Sequence, residues 1–363
     1  MITLTNIVNQ QKITLPDKDA KKFFGLKAGM ERIMCLPVSE MIEDIHESKM
    51  LQPPDEKYKR KLPGTAVIRM GGLGDLIMLS SGLYAYKKRH PKELLTVVTI
   101  EEHMPYVKSL PFVDKVMSTM KLGKYKWEKT IDLRFSVEPP QLGTICKGKW
   151  EDYIAKDRSD VFDELLGVHP AEKKFLAPSS DFTETIQDAI EGSHPVVAIN
   201  ASMVAPARSI LPAYIKPLCD YVLKRTDFHI VLFGVSQHWN RELKGLKGVR
   251  VHNLIDQTSL GEMTALCSHA DLVVTPDTGT LHVAGALGTR TIALFGGINP
   301  RTRISYYPNV RALYPHGKKS CIPCWDIPKC MNGKPEVGSP CMRLLTPKVI
   351  GDAIIEEHRR LGI

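Results

Sequence analysis

Residues 272–296 read LVVTPDTGTLHVAGALGTRTIALFG, and their order decides the fold. A short apolar run ends at Asp277-Thr278-Gly279-Thr280, a stretch of small residues carrying His282 follows, and a second apolar run begins at Thr291. Two such runs separated by a helical stretch predict a strand–helix–strand unit with parallel strands. Ala284, Gly285 and Ala286 are expected to let that helix lie close against the sheet. In open parallel sheets ligands gather beyond the carboxyl ends of the strands, where Asp277–Thr280 falls. Thr hydroxyls and the open amides of a first helical turn can hold phosphate oxygens, helped by the helix dipole. A simpler reading stays open, in which Asp277 or Thr278 only caps the helix and His282 is a packing residue.

The same alternation extends in both directions. A series from about His194 reads PVVAIN, a helix over Pro212–Arg225, FHIVLFG, a helix after Trp239, VRVHNL and a helix from about Leu260. Ser259 and Glu262 stand in capping-box spacing before that last helix. Upstream, TAVIRM, the helical LIMLSSGLYAYKKRH, LLTVVTI and KTIDLRF form an earlier series. No fixed-period repeat is present, so a solenoid is excluded. The expected fold class is α/β, with two doubly wound Rossmann-like domains facing a cleft. Residues 1–62 form an appendage of unknown role, 63–190 the first domain and 191–345 the second, including a Cys-rich loop at 320–342; 346–363 form a helix packing across the domains.

The earlier series has its own strand-to-helix turn, IRMGGLGDLIMLSSGL. Gly71, Gly72 and Gly74 permit a tight turn and close backbone approach to a ligand, and Asp75 stands at the helix start. The glycines match neither the spaced dinucleotide fingerprint nor a Walker loop. Asp75 acting as a helix cap is the plain alternative.

The totals narrow the function classes. Apolar and charged fractions of 43% and 25% over 363 residues fit a globular protein of about two domains, and no apolar run is long enough to span a bilayer. MITLTNIVNQQKITLPDKD lacks the pattern of a signal peptide, so the expected compartment is the cytoplasm, with contact at the inner face of the membrane. A net charge of +9 suits an anionic partner, but basic arms with interleaved aromatics are missing, which argues against nucleic acid.

Eight cysteines divide into two groups. Cys35, Cys146, Cys219 and Cys267 are isolated and expected to pack. Cys321, Cys324, Cys330 and Cys341 share one short segment, where four thiolates could hold structural Zn or Fe tetrahedrally. Reduced thiols without metal are the alternative.

IRMGGLGDLIMLSSGL and TSLGEMTALCSHADLVVTPDTGTLHVAGALGTRTIALFGGINP together resemble the heptosyltransferase family, bacterial GT-B glycosyltransferases of lipopolysaccharide assembly. The resemblance runs from about Thr65 to the C-terminus. It implies inverting transfer of heptose from the nucleotide sugar ADP-heptose to a hydroxyl of an anionic glycan or glycolipid, without a catalytic cofactor. Asp75 matches the general base, with Gly74 beside it at the donor; Thr278, Gly279 and Thr280 match the residues holding the diphosphate, and Asp277 the acid beside the donor. His282 becomes a donor-site hydrogen bonder or a structural residue. Arg208, before Leu211-Pro212, is the candidate phosphate clamp, where the family more often has Lys nearer a Trp-Pro pair; an exposed surface arginine is the alternative. Gly234 resembles a Phe-Gly turn at which backbone approaches the nucleotide, a plain tight turn being its alternative. Similar Cys clusters occur at this place in relatives, and an iron-binding finger is known among those that glycosylate autotransporter proteins. Transfer to protein hydroxyls and a catalytically silent nucleotide-sugar-binding scaffold are the competing readings.

Overall fold

Long apolar runs bounded by turn residues dictate buried strands, and a computed structural model of the protein shows them. It describes residues 2–6, 12–15, 32–34, 60–134, 136–137, 156–192, 195–202, 208–235, 243, 246, 248–315 and 339–362. The chain divides into two compact units, Met1–Gly64 with Ser118–Lys129, and Thr65–Met117 with Thr130–Ile363. In the first unit β1 (Ile2–Asn6) pairs antiparallel with β2 (Lys12–Leu15) and parallel with β3 (Arg32–Met34). The mixed polarity of residues 1–62 suggests two short strands and a helix near PVSEMIEDIHESKM, and that last stretch lies outside the described residues.

The series from Thr65 begins with β4 (Arg60–Ile68), α1 (Leu73–Arg89), β5 (Leu95–Thr99), α2 (Met104–Lys108), β6 (Lys115–Ser118) and β7 (Tyr125–Asp132). Its strand order is β6-β5-β4-β7. Helices α3 (Arg158–Leu166) and α4 (Glu184–Ile190) lead to the later series. That series comprises β8 (Val196–Asn200), α5 (Pro212–Leu223), β9 (His229–Gly234), β10 (Val251–Ile255), α6 (Leu260–His269), β11 (Leu272–Pro276), α7 (Gly279–Leu287) and β12 (Thr291–Leu294). It ends with α8 (Arg301–Ile304), β13 (Val310–Leu313) and α9 (Pro347–Leu361). Its order is β10-β9-β8-β11-β12-β13, with every neighbouring pair parallel. Both orders are those of a doubly wound sheet.

The unbroken apolar runs follow from burial on both faces. Val196 and Ala198 of β8 enter one core with Val231, Phe233 and Val273, while the alternating Val197 and Ile199 enter another with Ile230, Leu232 and Val274. The first core continues into Leu76, Leu79 and Leu83 of α1 and Phe162 of α3. At α6 the capping box forms as expected: Ser259 Oγ accepts from Glu262 N at 3.2 Å, and Glu262 Oε2 accepts from Ser259 N at 2.7 Å. Cys219 and Cys267 are buried core residues, whereas Cys35 and Cys146 lie outside the described residues.

Two local expectations are corrected. Helix α5 stops at Leu223, short of Arg225. Helix α9 seats on α5: Tyr221 Oη donates to Asp352 Oδ1 at 2.6 Å, and Ile350, Ala353 and Ile354 join the core of the second sheet. Gly285 makes room for a side chain, not for the sheet, since a Cβ there would stand 2.7 Å from Tyr307 Cγ. The helix expected after Trp239 falls largely outside the described residues. Among the described residues no helix is long and apolar enough to cross a membrane.

Candidate active site at two strand ends

A doubly wound sheet opens a crevice where the connections on either side of a strand pair depart to opposite faces. In the second sheet that pair is β8 and β11, whose carboxyl ends carry Asn200 and Asp277. Asn200 is 1% exposed and was not anticipated. Its Nδ2 donates to Thr275 Oγ1 at 3.1 Å, Thr278 Oγ1 at 3.2 Å and Thr280 Oγ1 at 2.9 Å. One amide therefore fixes the hydroxyls of the motif, and its Oδ1 accepts from Ser202 N at 2.9 Å.

The capping reading fails at α7. Thr278 is the extended N-cap residue, and its side chain makes no cap hydrogen bond. Asp277 points elsewhere, to guanidinium groups: Arg208 Nη1 donates to its backbone O at 2.8 Å and lies 3.4 Å from Oδ2, and Arg303 Nε lies 3.7 Å from Oδ1. Burial alone would raise the Asp277 carboxyl, but Arg303 and Arg208 hold it below the ordinary carboxylate range. Arg208 thus meets the Asp277 turn; Arg303, buried on α8, was missed. Desolvation and the nearby Arg158 lower Arg303 to about 10.

Asp75 does not cap α1 either. Gly72 is the N-cap residue, and the two carboxylate oxygens go to Arg69 Nη2 and Arg158 Nη1, each at 2.6 Å. Burial opposes ionisation of Asp75, yet Arg158 and Arg69 overcome it and keep the group charged far below the usual range. Arg69 is 1% exposed; its Nη1 also donates to Leu133 O at 2.9 Å, and its guanidinium lies 5.3 Å from the Phe162 ring centroid.

The glycines divide by what they accommodate. A Cβ on Gly71 would fall 2.6 Å from Arg69 Nη2, so this glycine makes room for the ion pair. Nothing lies within 4 Å of the corresponding position on Gly72. On Gly74 it would stand 3.1 Å from His282 Nε2 and 3.2 Å from Cγ, and closer still to Cδ2. A Cβ on Gly279 would be in ordinary contact with Leu73, 3.4 Å from its Cβ. The starts of α1 and α7 therefore touch through Gly74–His282 and Leu73–Gly279. Gly234 has φ +111° and its missing side chain leaves space filled by Asn200 Oδ1, 2.6 Å away, and Ser202. Its close neighbours are side chains of the chain itself, which supports the tight-turn reading.

His282 is 3% exposed with Nδ1 3.3 Å from Tyr307 Oη. Desolvation lowers its pKa to about 4 despite the pull of Asp277, so the ring is neutral at pH 7. Of the four-cysteine segment, Cys321, Cys324 and Cys330 lie outside the described residues. Cys341 is buried beside Met342 with Sγ 3.2 Å from Ser339 Oγ. No group of three or more metal-ligating side chains occurs among the described residues.

Comparison with known proteins agrees with this architecture. The family model described as glycosyltransferase family 9 (heptosyltransferase) matches residues 145–334. The lipopolysaccharide core heptosyltransferase OpsX of Haemophilus influenzae is 39% identical over 163 residues, covering 42% of this chain and 46% of OpsX. The chain thus matches about half the length of that relative. Among solved structures, E. coli ADP-heptose lipopolysaccharide heptosyltransferase II aligns at a TM-score of 0.60 and 17% identity over 83% of this chain and all of that one. The dodecameric iron-containing heptosyltransferase TibC of enterotoxigenic E. coli, in complex with ADP-D-beta-D-heptose, aligns at 0.60 and 16% identity over 84% of this chain and 78% of that one. These likenesses identify the two-sheet arrangement as the GT-B fold. With more than half of its length matched by the family model, the chain belongs to glycosyltransferase family 9, the heptosyltransferases.

Proposed function

We propose that this protein is an inverting glycosyltransferase that moves a heptose from ADP-heptose to a hydroxyl of a lipopolysaccharide-type glycan, with residues 63–190 presenting the acceptor and 191–345 holding the donor. The observation that carries this reading is the meeting of the α1 and α7 starts, which brings Asp75 near the Asp277–Thr280 turn among Arg69, Arg158, Arg208 and Arg303. The names of OpsX and of the TibC complex support the sugar and the acceptor class.

The chemistry follows from these groups. The acceptor hydroxyl loses its proton to the Asp75 carboxylate as its oxygen bonds to the anomeric carbon from the face opposite the leaving group. The bond from that carbon to the diphosphate oxygen breaks, its electron pair leaves with the diphosphate, and the configuration inverts. Amides of the α7 first turn, the Thr278 and Thr280 hydroxyls and Arg208 stabilise the departing charge. Neutral His282 orients by hydrogen bonding and does not serve as an acid. A +9 chain suits an anionic glycolipid acceptor at the inner face of the cytoplasmic membrane.

A structural iron or zinc held by Cys321, Cys324, Cys330 and Cys341 forms a secondary part of the proposal. Cys341, the described member of the set, is buried with its Sγ 3.2 Å from Ser339 Oγ, and four cysteines in one short segment make a ligand set that iron or zinc accepts. Elemental analysis of the purified protein beside Cys321→Ser tests it; metal-free wild type rejects it.

The main test is calorimetric titration of wild type and Thr278→Ala with ADP, GDP, UDP and dTDP, followed by transfer from ADP-heptose by wild type and Asp75→Ala. Selective ADP binding weakened by Thr278→Ala, and loss of transfer in Asp75→Ala, are expected. Preference for another nucleotide changes the donor; normal turnover by Asp75→Ala overturns the mechanism.

A further inference from the structure

Asp75 as it stands is a poor base. Both of its oxygens accept charge-assisted hydrogen bonds, which stabilise the ionised carboxylate and oppose its taking a proton from an acceptor. The two arginines that hold it differ in how firmly they are themselves held. Arg69 is 1% exposed, with a backbone carbonyl and an aromatic face as further partners. Arg158 is the first residue of α3, and its side chain is 19% exposed. The start of α3 is tied to the second-sheet side by Asp157, whose Oδ2 accepts from Ser305 N at 3.3 Å, next to α8 and Arg303. Arg158 therefore stands between the two motifs, close enough to Arg303 for their charges to oppose each other.

We propose that Arg158 is a positioning residue shared between Asp75 and the donor: before the donor arrives it occupies Asp75 Oδ1, and a bound diphosphate draws it away and exposes that oxygen to the acceptor hydroxyl. A dianion placed between Arg158 and Arg303 relieves their mutual repulsion while it competes with Asp75 for the same guanidinium. Arg69 stays on Oδ2 throughout and keeps the carboxylate oriented. The consequence is an ordered reaction, donor before acceptor, in which the base is released only once a leaving group is present. This inference rests on the donor reading above.

The test is a thermodynamic cycle read in ADP binding, which needs neither acceptor nor turnover. If Asp75 and the diphosphate compete for Arg158, Asp75→Asn tightens ADP by about tenfold, the scale of one charge-assisted hydrogen bond, and Arg158→Gln weakens it by a similar factor. In the Arg158→Gln background Asp75→Asn then changes ADP affinity by less than about threefold. An equal gain in both backgrounds would mean that Asp75 acts on the nucleotide only through its charge, and overturns the proposal; so does unchanged affinity in Asp75→Asn. Arg158→Lys, which retains the charge, guards against a folding defect: it is expected to keep more of the coupling than Arg158→Gln, and coupling lost equally in both refutes the assignment. Failure of all four nucleotides to bind wild type removes the donor reading itself, whereas binding without coupling removes only the role of Arg158.

Discussion

Gly74→Ala measures how tightly the two motifs meet. Gly74 is the second residue of α1, where replacement by Ala would ordinarily favour the helix by about 1 kcal/mol. Here the added methyl would stand 3.1 Å from His282 Nε2 and 3.2 Å from Cγ, with Cδ2 nearer still. The ring has little freedom to retreat: it is 3% exposed, its Nδ1 lies 3.3 Å from Tyr307 Oη, and the Tyr307 ring is backed by Phe175 at 5.0 Å between centroids. Overpacking of this kind costs about 2–3 kcal/mol, which outweighs the helix gain and leaves a net loss of about 1–2 kcal/mol. Urea unfolding of wild type, Gly74→Ala, His282→Ala and the double variant reads this directly, the cycle removing the cavity cost of His282→Ala itself. In the His282→Ala background Gly74→Ala becomes neutral or stabilising by up to about 1 kcal/mol. A loss of the same size in both backgrounds, or a gain in wild type, would refute the contact.

Three further outcomes follow from the same site. The folded-state pKa of His282 is about 4 against an unfolded value of 6.5, so its contribution is fully present above pH 6.5 and is lost as pH falls toward 4; the loss is on the order of 3 kcal/mol, and His282→Gln should flatten the urea midpoint against pH in that window. Asn200→Ala removes the donor shared by Thr275, Thr278 and Thr280 and is expected to cost about 2 kcal/mol in urea unfolding and to weaken ADP binding measured by calorimetry. Arg208→Ala, whose side chain is 32% exposed, should change stability by less than about 1 kcal/mol while lowering ADP affinity roughly tenfold or more, a split that calorimetry and unfolding together detect.

The fold was legible because burial on both faces writes each strand as an apolar run, and the polar turns between runs mark the strand ends at which ligands bind. Asp277 stands in the turn after β11, Asp75 in the first turn of the helix after β4, and Arg208 in the segment before α5, the kinds of place to which that pattern directs attention. What the sequence concealed was each charge's partner. Arg69, Arg158 and Arg303 lie in segments far apart in the chain, and only folding gathers them around two carboxylates. Two of the missed residues did leave a local sign: Arg69 and Asn200 are polar side chains terminating otherwise apolar strands, positions where desolvation demands a partner. Gly71 and Gly74 suggest openings for a ligand; on the side a Cβ would occupy, their neighbours are Arg69 and His282, and glycine alone does not reveal which atoms approach it. For helix α9 an amphipathic stripe shows that a face is buried without naming α5 as the surface that buries it.

The origin of each charged group also determines how far it can move. Arg69 directly follows β4, Asn200 ends β8 and Asp277 follows β11, so their backbones are held by strands buried within parallel sheets. Arg158 begins a helix, and Arg208 stands before α5 rather than at a strand end. The rigid groups set the positions of the carboxylates and the Thr hydroxyls before any ligand arrives, which is the condition for stabilising charge that develops only in the transition state. The less confined arginines, carried by connections, are suited to follow a phosphate as it is delivered and released. A site built only from strand ends would bind donor and product diphosphate with equal stiffness; one built only from helix starts and loops would have to order its charges during the reaction. Placing Arg69, Asn200 and Asp277 at strand ends and Arg158 and Arg208 on the connections separates orientation from exchange, and the doubly wound topology allows both because its crevice lies where strand ends and helix starts meet.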